Sequence, residues 1–179
     1  MKSVQYFLIS SMLLFSFNLP NEEPISVNFD TNPSGNERIK ALNRAYEIEL
    51  VNLINVYRTE NGLKPLSIQP SLMLAGRYHA ADMANEDYFD HATHNRINGR
   101  LQRGVSTFKR IKQFYSGFAN TENLGAGYSS PAAVFQGWVN SPGHNVNLLN
   151  ESATHMGVGF YQTNHSEYER YWVFVSSVD

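Results

Sequence analysis

Four residues of this chain have types and settings that could carry chemistry: His91 after Tyr88-Phe89-Asp90, Glu122 in TENLGAG, and Ser141 and His144 in WVNSPGHNVNLLN. Neutral imidazole binds zinc, copper or nickel and changes charge near neutral pH. A glutamate beside two histidines could be a third metal ligand, a carboxylate orienting one imidazole, or a base for a metal-bound water. Ser141 lies three residues before His144, which raises the idea of a nucleophile with its base. A nucleophilic serine needs that base in hydrogen-bond reach and a third group to orient it. A serine directly before Pro142 is better explained as a helix N-cap, its oxygen accepting from the first-turn amides. His144, just inside the same helix start, reads on isolated grounds as a donor to a neighbouring carbonyl. His91, Glu122 and His144 are far apart in sequence, so only a fold can bring them together.

Much chemistry is excluded at the outset. There is no HExxH, no GxSxG, no phosphate-cradling glycine loop and no dinucleotide fingerprint. The chain has no cysteine, which removes disulfides, iron–sulfur clusters, cysteine-type zinc sites and a thiol nucleophile. The formal net charge of −2, without a basic block, lacks the electrostatic footprint of nucleic-acid binding. With 42% hydrophobic residues among 179, the chain can build one domain with a real core, unaided by disulfides.

The elements that must position these residues follow from periodicity and punctuation. Residues 1–20, with Lys2 ahead of an apolar stretch from Tyr6 to Phe17, read as a secretory signal peptide. Export to the periplasm or the exterior follows, with no stable membrane span in the mature form. Residues 21–38, rich in Asn, Pro and acids, read as a linker, and the domain is expected over 39–179. Tyr46, Leu50, Leu53, Ile54 and Tyr57 form a helical stripe closed by Asn61-Gly62. LKPLSIQP is a connecting loop. A second helix starts at Pro70-Ser71 with Leu72, Ala75, Gly76, His79, Ala80 and Met83 on one face, and ends in Asn85-Glu86-Asp87. His79 there reads as a buried, hydrogen-bonded core residue. His94, His155 and His165 show no partner in the sequence.

Residues 91–103 are polar and Arg-rich, with a turn at Asn98-Gly99 and a short helix beyond. A strand within 114–124 ends at Glu122. Ser130-Pro131 and Ser141-Pro142 start two more helices, the first carrying Val134, Phe135 and Trp138. MGVGFYQ and YWVFVSS are strands of a hairpin, and the alternating Gly157 and Gly159 point to close approach of another backbone. Helices first and a β-hairpin last make an α+β domain.

Several stretches resemble the CAP superfamily, the SCP domain of cysteine-rich secretory proteins, antigen 5 and plant pathogenesis-related proteins. They are LVNLINVYRTENGLKPL, HAADMANEDYFDHATHNRINGR, ENLGAGYSSPAAVFQGWVNSPGHNVNLLNESATHMGVGF and YWVFV, in the family's order. SPGHxxNLL followed by GVG is the most specific piece, and the chain is most similar to the cysteine-free bacterial branch. The resemblance implies a three-layer α-β-α sandwich with a central antiparallel sheet and a cleft lined by two histidines and acidic residues. Position by position, His91 and His144 match the two cleft histidines and Glu122 the glutamate of the GEN-type motif. Two departures stand out: Thr121 replaces the glycine before Glu-Asn, and Ser141 stands where animal and plant members carry a second glutamate.

The expectation that results is a non-enzymatic binding module. Its cleft of His91, Glu122, Ser141 and His144 would take a small apolar molecule, a glycan fragment, a cell-envelope component or a divalent metal such as zinc. No cofactor is required. The competing expectation is a metal-assisted hydrolase of peptide or cell-wall bonds with Glu122 as base.

Overall fold

A computed structural model describes residues 27–29 and 31–179; the expected signal peptide lies outside the described residues. The elements in chain order are α1 (Arg44–Glu60), β1 (Ser67–Ile68), α2 (Pro70–Glu86), β2 (His94–Ile97), β3 (Arg100–Arg103), α3 (Thr107–Phe114), β4 (Ala119–Ala126), α4 (Pro131–Asn140), α5 (Pro142–Leu148), β5 (His155–Gln162) and β6 (Arg170–Ser177). No described helix is long and apolar enough to cross a membrane.

Local signals set most of these boundaries. The Asn43 side chain accepts from the Tyr46 amide at 3.1 Å to start α1, and Gly62, at φ +77°, follows its Asn61 C-cap. Proline occupies the first turn of α2, α4 and α5, where its missing N–H costs no hydrogen bond. Asn98 and Gly99 both take positive φ, the turn geometry that lets β2 and β3 pair as a tight hairpin. Those two strands are a structural addition to the sequence reading. HNRI and RLQR show no apolar alternation because the hairpin is mostly exposed on both faces.

The main sheet has the order β1-β5-β6-β4, antiparallel except for the two-residue β1, which runs parallel to β5. Short as it is, β1 lies within the stretch expected to be a plain loop. The alternation of β6 divides the core. Trp172 and Phe174 join the cluster under α1, α4 and α5, whereas Tyr171, Val173 and Val175 join the cluster under α2 and α3. The result is the three-layer α-β-α sandwich. Each fully buried Phe or Leu contributes about 1.5–3 kcal/mol of transfer free energy.

α2 lies on β5 almost backbone to backbone. A Cβ at Gly157 would collide with the Leu72 carbonyl, and one at Gly159 with the backbone of Gly76 and Arg77. The expected close approach is real, and Gly76 supplies it from the helix side. α2 is also buried more completely than a one-faced stripe requires, since Met73, Arg77, Tyr78, Ala81, Asp82 and Ala84 are covered too. Its outer side is covered by Phe114 of α3, 5.3 Å from Tyr78 between ring centroids, and by Phe29 at 5.7 Å. Phe29, the buried Pro33 and Asn32, which accepts from Asn95 at 3.0 Å, show that part of the stretch read as a linker packs on the domain.

Candidate functional site

The site forms where β4, an edge strand, passes between α3 and α5. Glu122 sits in the middle of β4 rather than at its end, with its side chain on the α2–α3 side of the sheet, 1% exposed. Its Oε1 takes a hydrogen bond from His91 Nδ1 at 2.8 Å, and its Oε2 takes one from Arg110 Nη2 at 2.5 Å. Arg110 comes from the inner face of α3 and is fully buried. The same guanidinium nitrogen donates to the His91 carbonyl at 3.3 Å, and the Thr107 hydroxyl donates to it at 3.2 Å. The first turns of α3 therefore fix both the backbone and the ring of His91. The imidazole is half exposed, so with Nδ1 turned to Glu122, its Nε2 edge is the open one.

His144 arrives from the other side of β4. Its backbone carbonyl accepts from Asn123 Nδ2 at 3.0 Å, and Asn147, one turn further along α5, donates to Asn123 Oδ1 at 2.8 Å and to the Glu122 carbonyl at 3.3 Å. These asparagines fasten α5 to the sheet edge. Asn147 thereby also satisfies one edge-strand carbonyl, that of Glu122. His144 Nδ1 is buried with no hydrogen-bond partner among the described residues. Ser141 stands at the α5 N-cap, but its side chain makes no cap hydrogen bond, so the expected cap chemistry is absent. At Ser130, by contrast, the hydroxyl accepts from the Ala133 amide at 3.2 Å.

The electrostatics follow from this wiring. Burial alone would raise the Glu122 pKa, but the Arg110 charge and the His91 hydrogen bond outweigh it and hold the carboxyl down at about 2. The Glu122 hydrogen bond raises His91 above its ordinary value despite partial burial. Partial burial, and then the His91 charge, lower His144. That coupling places the two imidazoles in one electrostatic neighbourhood. On acidification His91 takes a proton before His144 does.

The third-ligand and base roles expected for Glu122 do not suit this geometry. Both oxygens are occupied, and a carboxyl held near 2 is a poor base at neutral pH. Among the described residues no group of three or more His, Cys, Asp or Glu is placed to hold a metal ion. A divalent cation near His91 and His144 would have two imidazoles at most among the described residues. The donor set does not fit a closed site.

Arg110, Asn123 and Asn147 are the residues that motif reading missed. Asn147 carried a signal, being three residues after His144 and so on the same helix face. His79 is buried as expected, with Nε2 at 2.9 Å from the Asp90 carbonyl; burial and then Arg110 draw its pKa down to about 3. His94 has partners the sequence did not reveal, Asp90 at 3.0 Å and the Tyr88 ring stacked at 4.6 Å.

Comparisons with known proteins bear on the family and the fold. Residues 51–176 match the model of the CAP, or cysteine-rich secretory protein, family, and the chain belongs to that family. Lacking cysteine, it fits the cysteine-free bacterial branch. It is 36% identical over 120 residues to the uncharacterised protein YkwD of Bacillus subtilis, covering 66% of this chain and 44% of that protein. It is similar to the crystal structure of an extracellular SCP-domain protein from Bacillus anthracis, with a TM-score of 0.63 and 27% identity, covering 75% of this chain and 41% of the other. An outer surface protein of Borrelia burgdorferi shares the fold at a TM-score of 0.60 and 20% identity, over 73% of this chain and 90% of that one. The chain thus spans less than half the length of the curated relatives it matches.

Proposed function

We propose that this is an exported CAP-domain protein whose His91–His144 cleft binds a ligand without turning it over. The observation that carries this reading is the Arg110–Glu122–His91 chain. It commits the one family glutamate to holding an imidazole, so Glu122 is not free to serve as general base. His91 Nε2 then faces a ligand as a fixed donor or acceptor, and His144 adds a second polar edge. A small apolar molecule with one polar group, a glycan fragment or another cell-envelope component suits such an edge. A divalent cation on two imidazoles would be held modestly and reversibly. Export is supported by the extracellular protein of Bacillus anthracis and by the charged-then-apolar start of the chain.

Calorimetric titration with zinc, on the wild type and on the His91→Ala, His144→Ala double variant, tests the cleft. Weak binding, lost in the variant and fading as acid protonates the histidines, is the expected result. A parallel assay with zinc on casein and on peptidoglycan should show no turnover. Metal-dependent turnover abolished by Glu122→Gln would replace the binding reading with the hydrolase.

A further inference from the structure

β4 is an outer strand of the main sheet, and the histidines are fastened around its middle, at Glu122 and Asn123. A second feature stands at its C-terminal end. There the rings of Phe89 and Tyr168 lie 5.9 Å apart between centroids, tilted by 53°, and the two residues are 46% and 39% exposed. Tyr168 belongs to the turn between β5 and β6, and a Cβ added to Gly127, the residue after β4, would sit 3.9 Å from its ring. Phe89 is two residues ahead of His91. Glu122 and Gly127 are five residues apart, so about 17 Å of strand edge runs from the imidazoles to the aromatic pair. Tyr168 packs edge-on against the buried Tyr171 at 6.2 Å, and Asp87 fastens its turn by accepting from the Glu167 amide at 2.8 Å. Two aromatic side chains from separate segments are thus held together in water, the mark of a contact surface.

Charge decides what such a surface can take. Asp87, Glu167 and Glu169 neighbour the two rings in sequence, and Arg170 is taken up by Glu169 at 3.6 Å, so an anion is disfavoured there. At the other end of the strand the imidazoles are wired differently from each other. Glu122, its pKa held down at about 2, is ionised and can only accept, so His91 Nδ1 donates and Nε2 keeps a lone pair in the neutral ring. His144 Nδ1 is buried without a partner among the described residues. Buried donors are left unpaired less often than acceptors, so in the neutral ring the hydrogen sits on Nε2. One ring then offers an acceptor and the other a donor, the complement of a hydroxyl group. A metal ion would need His144 to change tautomer, and a cationic ligand would meet the His91 ring, whose pKa Glu122 raises.

We propose that the β4 edge binds a neutral, β-linked oligosaccharide, with one sugar ring packed on Phe89 and Tyr168 and a hydroxyl further along held between His91 and His144. A sugar presents both parts at once. Its C–H face suits the negative faces of the aromatic rings, and its hydroxyls both donate and accept. A β-linked chain is extended and flat, so it follows a strand edge, whereas an α-linked chain coils away from one. This rests on the reading of the two histidines as a ligand site and names the class of that ligand.

The test is calorimetric titration of the whole protein with chitotetraose, against maltotetraose as an α-linked chain of equal length. Saturable binding of chitotetraose is expected, with saturation transfer in NMR from aromatic protons of the wild type to the sugar. Phe89→Ser and Tyr168→Ser are each expected to weaken binding about three- to tenfold, the worth of one aromatic contact. The His91→Ala, His144→Ala variant is expected to weaken it about tenfold through lost hydrogen bonds. Both aromatic residues are part-exposed, so unchanged thermal unfolding checks that the fold is kept, and Tyr168→Trp should bind as the wild type does. Equal binding of maltotetraose, or indifference to both aromatic substitutions, would overturn the proposal. Chitotetraose binding that ignores the histidines would detach the aromatic pair from the cleft and overturn it too. Self-association of the protein lost in Phe89→Ser, without sugar binding, would give the surface to a second copy of this chain instead. No binding of chitotetraose, with zinc binding still lost in the double histidine variant, would sink this inference and leave the cleft reading standing.

Discussion

Two seams hold helices to the central sheet, and they are built on opposite principles. Where α2 crosses β5, side chains are removed: Gly157 and Gly159 on the strand and Gly76 on the helix let the backbones meet. Where α3 meets β4, charge is inserted: Arg110 and Glu122 are buried together with His91 at their edge. The first seam is cohesive but chemically silent. The second costs more to desolvate, yet it fixes one half-exposed imidazole beside the sheet edge and raises that imidazole's pKa. Stability and site geometry are thus separated between neighbouring helices.

The charged seam should break hardest. Arg110→Met leaves an ionised Glu122 buried without its counter-charge, an expected loss of about 3–5 kcal/mol in urea unfolding. Adding Glu122→Gln should recover much of that loss, a non-additivity that the seam's coupling demands. A loss below 1 kcal/mol, or strict additivity, would mean that the pair is not the buried unit described here. The glycine seam comes next. Gly159→Val meets main-chain atoms that cannot swing aside, and about 2–3 kcal/mol of destabilisation is expected from overpacking. Tolerance would show that α2 can lift off β5.

Asp82 sharpens the comparison, because it is a buried carboxyl without an arginine hydrogen-bonded to it. Burial pushes its pKa up to about 7 in spite of the Tyr88 hydrogen bond. A carboxyl raised in the folded state contributes stability below its unfolded value, near 3.8, and loses it as pH rises to about 7. Asp82→Asn should therefore be more favourable relative to wild type at pH 8 than at pH 4, the gap widening by about 1.4 kcal/mol per pH unit between 3.8 and about 7. Glu122 has the reverse sign, its contribution present above 4.5 and lost as pH falls toward 2. The smallest effect is expected at Ser141. With no cap hydrogen bond to lose, Ser141→Ala should change thermal stability by less than about 0.5 kcal/mol, whereas Ser130→Ala should cost about 1 kcal/mol.

The two seams also differed in how much the sequence revealed. Glycines alternating in a strand have few explanations, so Gly157 and Gly159 announced a close packing before any partner was known. Helix starts at Ser-Pro were legible for the same local reason, although geometry decided that one serine caps and the other does not. The Arg110 end was not legible. In FKRIKQF it looks like one more solvated cation beside Lys109 and Lys112, and only the pairing of α3 with β4 buries it. Glu122 and the two histidines were legible through the family motifs, but their wiring was not, since it depends on contacts across 12 to 31 residues of sequence.

The central claim is that Glu122, held by Arg110, orients His91 and leaves its Nε2 open to a ligand. Histidine titration by NMR, in the wild type and in Glu122→Gln, tests it most directly. His91 should titrate above 6.5 with its Nδ1 protonated in the neutral form, and His144 below 6.5. In Glu122→Gln the His91 value should fall and the tautomer preference weaken. A His91 that titrates at or below 6.5 in the wild type and ignores Glu122→Gln would contradict the account.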